Sequence, residues 1–345
     1  MNDVTTLPEL LAAAARSDRT LTYLEGDNER RELSFTELQR RALGILWHLQ
    51  QMGARPGDQL ILQLAANEPF IDAFWAAVLG GIVPVPVAVG ISDEHRRKLL
   101  RIAMQLGDPF LYTDRKTLAR TLAFAREHGA SEIADRLERR AFLIDDLEDI
   151  SRSGARQPIR PDDIAFIQFS SGSTADPKGV VLTHGNLIAN WRGAMQAAEL
   201  GAQDVTLSWM PLTHDMGLIG MHIIMMGSQC RLLQMPTELF IRRPLLWLQF
   251  ASRYRATVLC SPNFGYRHYL KVLGDRAVDD LDLSAVRIIF NGAEPISVGL
   301  ANEFLTRLAP ARLAPRSMFP VYGLAEASVA VSFPRPGAPM RAVCL

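Results

Sequence analysis

The 345-residue chain has little cysteine, no excess charge of either sign and no long uninterrupted apolar run. Its three cysteines, Cys230, Cys260 and Cys344, are spaced for neither a disulfide framework nor a zinc site. They read as small buried hydrophobes of a reduced cytosol. Lys plus Arg and Asp plus Glu both number 37, so the formal net charge is zero. No global field draws the protein to nucleic acid or to an anionic membrane. The most apolar stretch, residues 71–90, is interrupted by Asp72, Gly80, Gly81, Pro84 and Pro86. A spanning helix needs about 20 apolar residues in succession, so a buried helix followed by a buried strand is expected there. Met1-Asn2-Asp3-Val4 lacks the basic start and apolar stretch of a signal peptide. A soluble, cytoplasmic protein without a membrane span is the expectation. A G-x-S-x-G elbow is also missing, which argues against a serine hydrolase.

What is present is a globular balance of 48% hydrophobic and 21% charged residues. The length suggests about two compact units. The pattern is α/β, with mainly parallel sheets covered by helices. Ser34-Phe35-Thr36-Glu37 is a capping box that opens a helix to about Met52. Strands are expected over 58–64, 82–89, 141–144, 164–169, 180–182, 205–209, 256–260 and 286–290. Helices are expected from Asn67, as cap, toward Leu79, from Ser92, and over 184–200, 215–226 and 238–254. The polar run 151–161 reads as a connector. Ligands of such sheets bind at loops leaving the carboxyl ends of strands. That rule selects the loops after Phe169, Trp209 and Phe290.

The first loop, Ser170-Ser171-Gly172-Ser173-Thr174-Ala175-Asp176-Pro177-Lys178-Gly179, carries four hydroxyls, two glycines and a lysine after an apolar strand. Backbone amides, hydroxyl donors and an ammonium suit a polyphosphate. A Walker loop has its lysine after the second glycine and a helix beginning there. Here Lys178 precedes Gly179 and a strand follows, so a Walker NTPase is excluded.

The string 166–187, FIQFSSGSTADPKGVVLTHGNL, resembles the phosphate-loop signature of the adenylate-forming, AMP-binding superfamily. That group includes acyl-CoA synthetases, adenylation domains of nonribosomal peptide synthetases and fatty acyl-AMP ligases. Three further segments carry the resemblance. Trp209-Met210-Pro211-Leu212-Thr213-His214-Asp215-Met216-Gly217-Leu218-Ile219-Gly220 resembles the His-Asp-Met-Gly-Leu-Ile-Gly segment of fatty acyl-AMP ligases. The resemblance implies that His214 lies near the carboxylate and the α-phosphate. Read from the residues alone, Asp215 caps a helix and His214 is incidental. Asn291-Gly292-Ala293-Glu294 resembles the adenine loop; small residues at 292 and 293 would let a flat base lie against the backbone. Tyr322-Gly323-Leu324-Ala325-Glu326 resembles the Tyr-Gly-x-x-Glu motif, which implies Tyr322 stacking on adenine and Glu326 as the Mg²⁺ ligand. Most of the superfamily has threonine before this glutamate. Ala325 departs from that and matches the fatty acyl-AMP ligase form, as do the segments 240–244 and 261–266.

The resemblance implies ATP and Mg²⁺ as cofactors, with a fatty acid or related carboxylic acid as substrate. The acceptor would be the phosphopantetheine of an acyl carrier protein. It places Ser170, Ser171, Gly172, Ser173, Thr174 and Lys178 on the phosphates, with Lys178, His214 and Thr174 catalytic. Asn291, Gly292, Ala293, Glu294, Tyr322 and Gly323 would hold the nucleotide. Trp209, His214, Met216, Gly217, Phe264 and Gly292 would line the acyl pocket. The Met-rich run 221–226 and Met235 could line an acyl tunnel, though a methionine stripe is more often ordinary core. Two interleaved lobes are implied, residues 56–200 and residues 1–55 with 203–345. The family's barrel subdomain, C-terminal lobe and the insertion that separates its ligases from its synthetases would lie beyond residue 345.

Overall fold

Four short apolar runs, Val83–Pro86, Gln59–Leu62, Phe110–Thr113 and Ala141–Leu143, pair in that order into a parallel sheet. The computed structural model describes residues 3–90, 92–170 and 176–341. The chain divides into two units: Met1–Arg16 with Phe35–Ile188, and Ser17–Ser34 with Ala189–Leu345. The parallel sheet belongs to the first. Strands buried on both faces read as continuous apolar runs. The amides of Val83 and Val87 donate to Asp58 and Leu62. The alternate positions, Pro84 and Pro86, therefore face away from the ladder, where a missing N–H costs no bond.

The interrupted stretch 71–90 forms the expected buried helix, Asn67–Leu79, and the strand Val83–Pro86. Asn67 is not its cap. Ala66 occupies that position with no side-chain cap bond, and Asn67 is already helical. No described helix is long and apolar enough to cross a membrane. Helix Phe35–Gln51 buries Leu38, Ala42, Ile45, Leu46 and Leu49. Its Arg41 guanidinium meets Asp72 at 2.5 Å and Glu68 at 2.7 Å on Asn67–Leu79. That pairing puts Phe35–Gln51 in the first unit, whereas the sequence expectation grouped residues 1–55 with the second lobe.

Strands Ile164–Ser170 and Lys178–Thr183 form an antiparallel pair. The loop after Phe169 is thus a hairpin connection, and the rule for parallel sheets does not apply to it. Helix His184–Ala197 follows. His184 is 2% exposed, and its Nδ1 accepts the Leu7 N–H at 3.2 Å. Burial pushes this imidazole down to about 4, the Asp163 charge opposing. Only a neutral ring accepts that bond, while in the unfolded chain the ring takes a proton near pH 6.5. Stability is complete above about pH 6.5 and falls as the pH drops toward 4, because the unfolded state then binds the extra proton. Wild type is expected to lose about 2 kcal/mol more than His184→Gln between pH 7.5 and 5 in urea unfolding. Equal losses would mean that the ring is solvated.

The second unit is built on a seven-stranded sheet: Met318–Pro320, Ile288–Asn291, Val258–Cys260, Val205–Ser208, Arg231–Gln234, Thr20–Leu24 and Arg30–Ser34. The first six are parallel; the last is antiparallel to its neighbour. Arg30–Ser34 (RRELS) escaped the sequence reading because it is an exposed, charged edge, where side chains need not be apolar. The helix expected over 238–254 is two, Thr237–Arg242 and Leu245–Arg253. Pro244 interrupts it, since it has no N–H to donate.

Candidate functional site

Most of the unusual segments of the second unit leave the carboxyl ends of neighbouring parallel strands. Trp209 follows Val205–Ser208, Ser261 follows Val258–Cys260, Gly292 follows Ile288–Asn291 and Val321 follows Met318–Pro320. Parallel strands present these ends at one edge of a sheet. Trp209 is buried and lies flat on Phe240, with ring centroids 3.8 Å apart and planes at 7°. Phe264 meets it edge-on at 6.1 Å. Phe264 itself is 47% exposed and stacks on His268.

Asp215 is the cap, as the plain reading had it. Its Oδ1 accepts the Met216 N–H at 2.6 Å. His214 is more than incidental: its Nδ1 lies 2.8 Å from the same oxygen. The same Nδ1 is 3.2 Å from the Met216 N–H, so it either accepts that bond or, protonated, donates to Asp215, and both contacts hold the ring in place. The imidazole is 45% exposed. The helix that begins here, Met216–Ile224, is a π-helix rather than the α-helix expected. Such helices are rare and concentrate at functional sites. Met216 and Gly217 are buried at its start, and His222 lies wholly inside, where burial pushes its pKa down to about 3.

Asn291 is fully buried, and its carbonyl accepts the Val321 N–H at 2.8 Å. A Cβ on Gly292 would stand 2.9 Å from Val321 Cγ2 and Val321 O. The close approach of this strand end explains the glycine, and that side of it is filled by Val321. Ala293 is exposed with φ +70°, a left-handed conformation uncommon for a residue with a side chain. Glu294 Oε1 accepts the Phe264 N–H at 3.1 Å. Asn263 bridges the Pro295 carbonyl and the Ser297 N–H. These bonds tie the loops after Cys260 and Asn291 together, a coupling that spacing alone does not reveal.

Tyr322 and Gly323 pair with Ala330–Ser332, and the Tyr322 ring is 61% exposed. A Cβ on Gly323 would overlap Val329 O. Glu326 is exposed on the single turn Ala325–Ala327. No group of three or more His, Cys, Asp or Glu gathers among the described residues. Glu326 offers a single exposed carboxylate, the kind of donor that Mg²⁺ takes beside phosphate oxygens and water.

Lys178 and Ser170 belong to the first unit. They are register partners at the loop end of the antiparallel pair, and Lys178 is exposed. Gln105 Nε2 donates to the Pro177 carbonyl at 3.1 Å. Ser171, Gly172, Ser173 and Thr174 lie outside the described residues, as does Cys344. Burial raises the thiols of Cys230 and Cys260 to about 12, so neither is a nucleophile.

Residues 11–343 match the family model described as AMP-binding enzyme. The chain belongs to the AMP-binding enzyme family. Among curated AMP-binding relatives, it is 31% identical to the medium-chain-fatty-acid–[acyl-carrier-protein] ligase JamA of Moorena producens. The match covers 93% of this chain and 54% of that protein. It is also 31% identical to a putative acyl-CoA synthetase of Caulobacter vibrioides, over 99% of this chain and 59% of that one. The adenylation domain of a keto acid-selecting nonribosomal peptide synthetase module, bound to keto acyl adenylate, superposes with a TM-score of 0.86. It is 31% identical, covering 96% of this chain and 61% of its own. The chain thus spans little more than half the length of these curated relatives, and the fold is that of the N-terminal part of an adenylate-forming enzyme.

Proposed function

We propose that the protein activates a fatty acid for transfer to an acyl carrier protein. The observation that carries this is the arrangement in the second unit. His214, Asn291–Glu294 and Tyr322–Glu326 are borne by segments that follow neighbouring parallel strands. A carboxylate oxygen attacks the α-phosphorus of ATP, the bond to the bridging oxygen breaks, and pyrophosphate departs with the electron pair. The thiol sulfur of phosphopantetheine then attacks the acyl carbon. AMP leaves and the thiol proton is released.

Lys178 and the hydroxyls of Ser170, Ser171, Ser173 and Thr174, with Gly172, hold the phosphates. Asn291, Gly292, Ala293, Glu294, Tyr322 and Gly323 hold the nucleoside. Trp209, His214, Met216, Gly217, Phe264 and Gly292 flank the acyl group. Glu326 would hold Mg²⁺, which offsets phosphate charge when bound. His214 is oriented by Asp215, so its half-exposed ring can present a fixed dipole or a proton to the reacting oxygens. Asp215 is already engaged with His214 and the Met216 N–H. That commitment supports an acyl chain over an α-ammonium at this point. His214→Ala is expected to lower the adenylation rate by about 10²-fold; an unaltered rate would reduce His214 to a packing role.

The test supplies the full-length gene product with ATP, Mg²⁺ and fatty acids of several lengths. Either CoA or a holo carrier protein is then added, and the products are weighed. Acyl-AMP that persists with CoA but moves onto the carrier supports the proposal. Acyl-CoA would assign the protein to the synthetases, and no adenylate with any fatty acid would overturn the substrate class.

A further inference from the structure

We infer that Asn190 is a positioning residue for Glu326, clamping the turn that carries it. Asn190 lies on helix His184–Ala197. Its Nδ2 donates to the carbonyls of Ala327 at 3.1 Å and Ala330 at 2.8 Å, and its Oδ1 accepts the Ala330 N–H at 3.3 Å. The side-chain amide thus treats Ala330 as a neighbouring strand would, with one donor and one acceptor, and uses its second donor on Ala327. One of these anchors is the residue next to Glu326.

The segment needs such an anchor. Tyr322–Gly323 and Ala330–Ser332 make only a two-stranded ribbon, and such ribbons are marginal alone. The turn Ala325–Ala327 is closed by bonds from Ala327 N–H to Leu324 O and from Ser328 N–H to Ala325 O. Ser328 follows it with φ +70° and is buried. A side-chain-bearing residue is strained in that region, so surrounding contacts must hold it there. Asn190 is polar on both sides of that strained residue, bonding to Ala327 before it and Ala330 after it. A carboxylate on a free ribbon would sample many positions. On a clamped turn its metal-binding geometry is set before nucleotide arrives.

The inference rests on Glu326 being the Mg²⁺ ligand, and the test separates the two ideas. A fluorescent ATP analogue is titrated onto the chain over a range of Mg²⁺ concentrations, and AMP is titrated without metal. Glu326→Gln, Asn190→Ala and the near-isosteric Asn190→Asp, which loses both donors, are compared with wild type. The Mg²⁺ midpoint for ATP binding is expected to rise about 10-fold in all three, as outer-shell losses typically do, with metal-free AMP affinity within about two-fold. If only Glu326→Gln moves the midpoint, Asn190 does not position it and the metal reading stands. An unmoved midpoint in Glu326→Gln would sink the metal reading and this inference with it. Parallel losses of metal-free AMP binding in both Asn190 variants would make Asn190 a general structural support and overturn the assignment.

Discussion

Replacing Lys178 by alanine is expected to slow acyl-adenylate formation by about 10²–10³-fold while AMP affinity stays within about two-fold. The asymmetry follows from where charge moves. The β- and γ-phosphates gain charge as the α-phosphorus is attacked, and AMP lacks both. An ammonium that meets the departing pyrophosphate stabilises the transition state and not the product nucleotide. The backbone of Lys178 is fixed on both sides. Ser170 pairs across from it, and the preceding residue, Pro177, is held through its carbonyl by Gln105. Its side chain is exposed, and on the proposed function it is the group that would meet the leaving pyrophosphate. Pyrophosphate exchange and AMP binding, measured on the same variant, check this. Equal losses in both would place Lys178 on the α-phosphate or on the fold rather than on the leaving group.

The contrast between Lys178 and Asn190 shows what the sequence could and could not tell. Lys178 stands in a string whose residue types already state their chemistry. Asn190 sits three residues beyond the quoted string, on an amphipathic helix where asparagine is unremarkable. Its partners are backbone atoms of residues 327 and 330, so no residue type marks them. The same distinction runs through the fold. Val83–Pro86 and Ile288–Asn291 were legible as continuous apolar runs, whereas Phe110–Thr113 and Thr20–Leu24, also largely buried, were not expected. Arg30–Ser34 was not legible, because its exposed edge lets it be charged. Phe35–Gln51 falls in the unit that holds Asn67–Leu79, and its Arg41 reaches Asp72 there, thirty-one positions along, a contact that no local pattern marks. The helix after Asp215 was expected as α and is π, since its hydrogen-bond register is set by packing, not by propensity.

That packing supplies the second large effect: Gly217→Ala is expected to destabilise the protein by about 3 kcal/mol or more, at or beyond the usual range for overpacking. A Cβ at 217 would stand 2.2 Å from the Pro211 carbonyl oxygen and 2.8 Å from its carbon, both backbone atoms. A flexible side chain could move aside, but this carbonyl is committed, since it accepts the His214 N–H at 3.0 Å. His214 in turn offers its carbonyl to the amides of Gly217 and Leu218. Displacing Pro211 therefore displaces His214, and activity should fall along with the melting temperature. Gly220 is the matched control in the same helix. There the nearest neighbour of a Cβ is Met216 Cγ at 3.9 Å, ordinary contact. Gly220→Ala should be neutral or stabilising by up to about 1 kcal/mol through reduced backbone entropy loss. Thermal unfolding of the pair decides the point. If both variants melt together, the helix start is not packed on Pro211, and that carbonyl does not hold the His214 backbone in place.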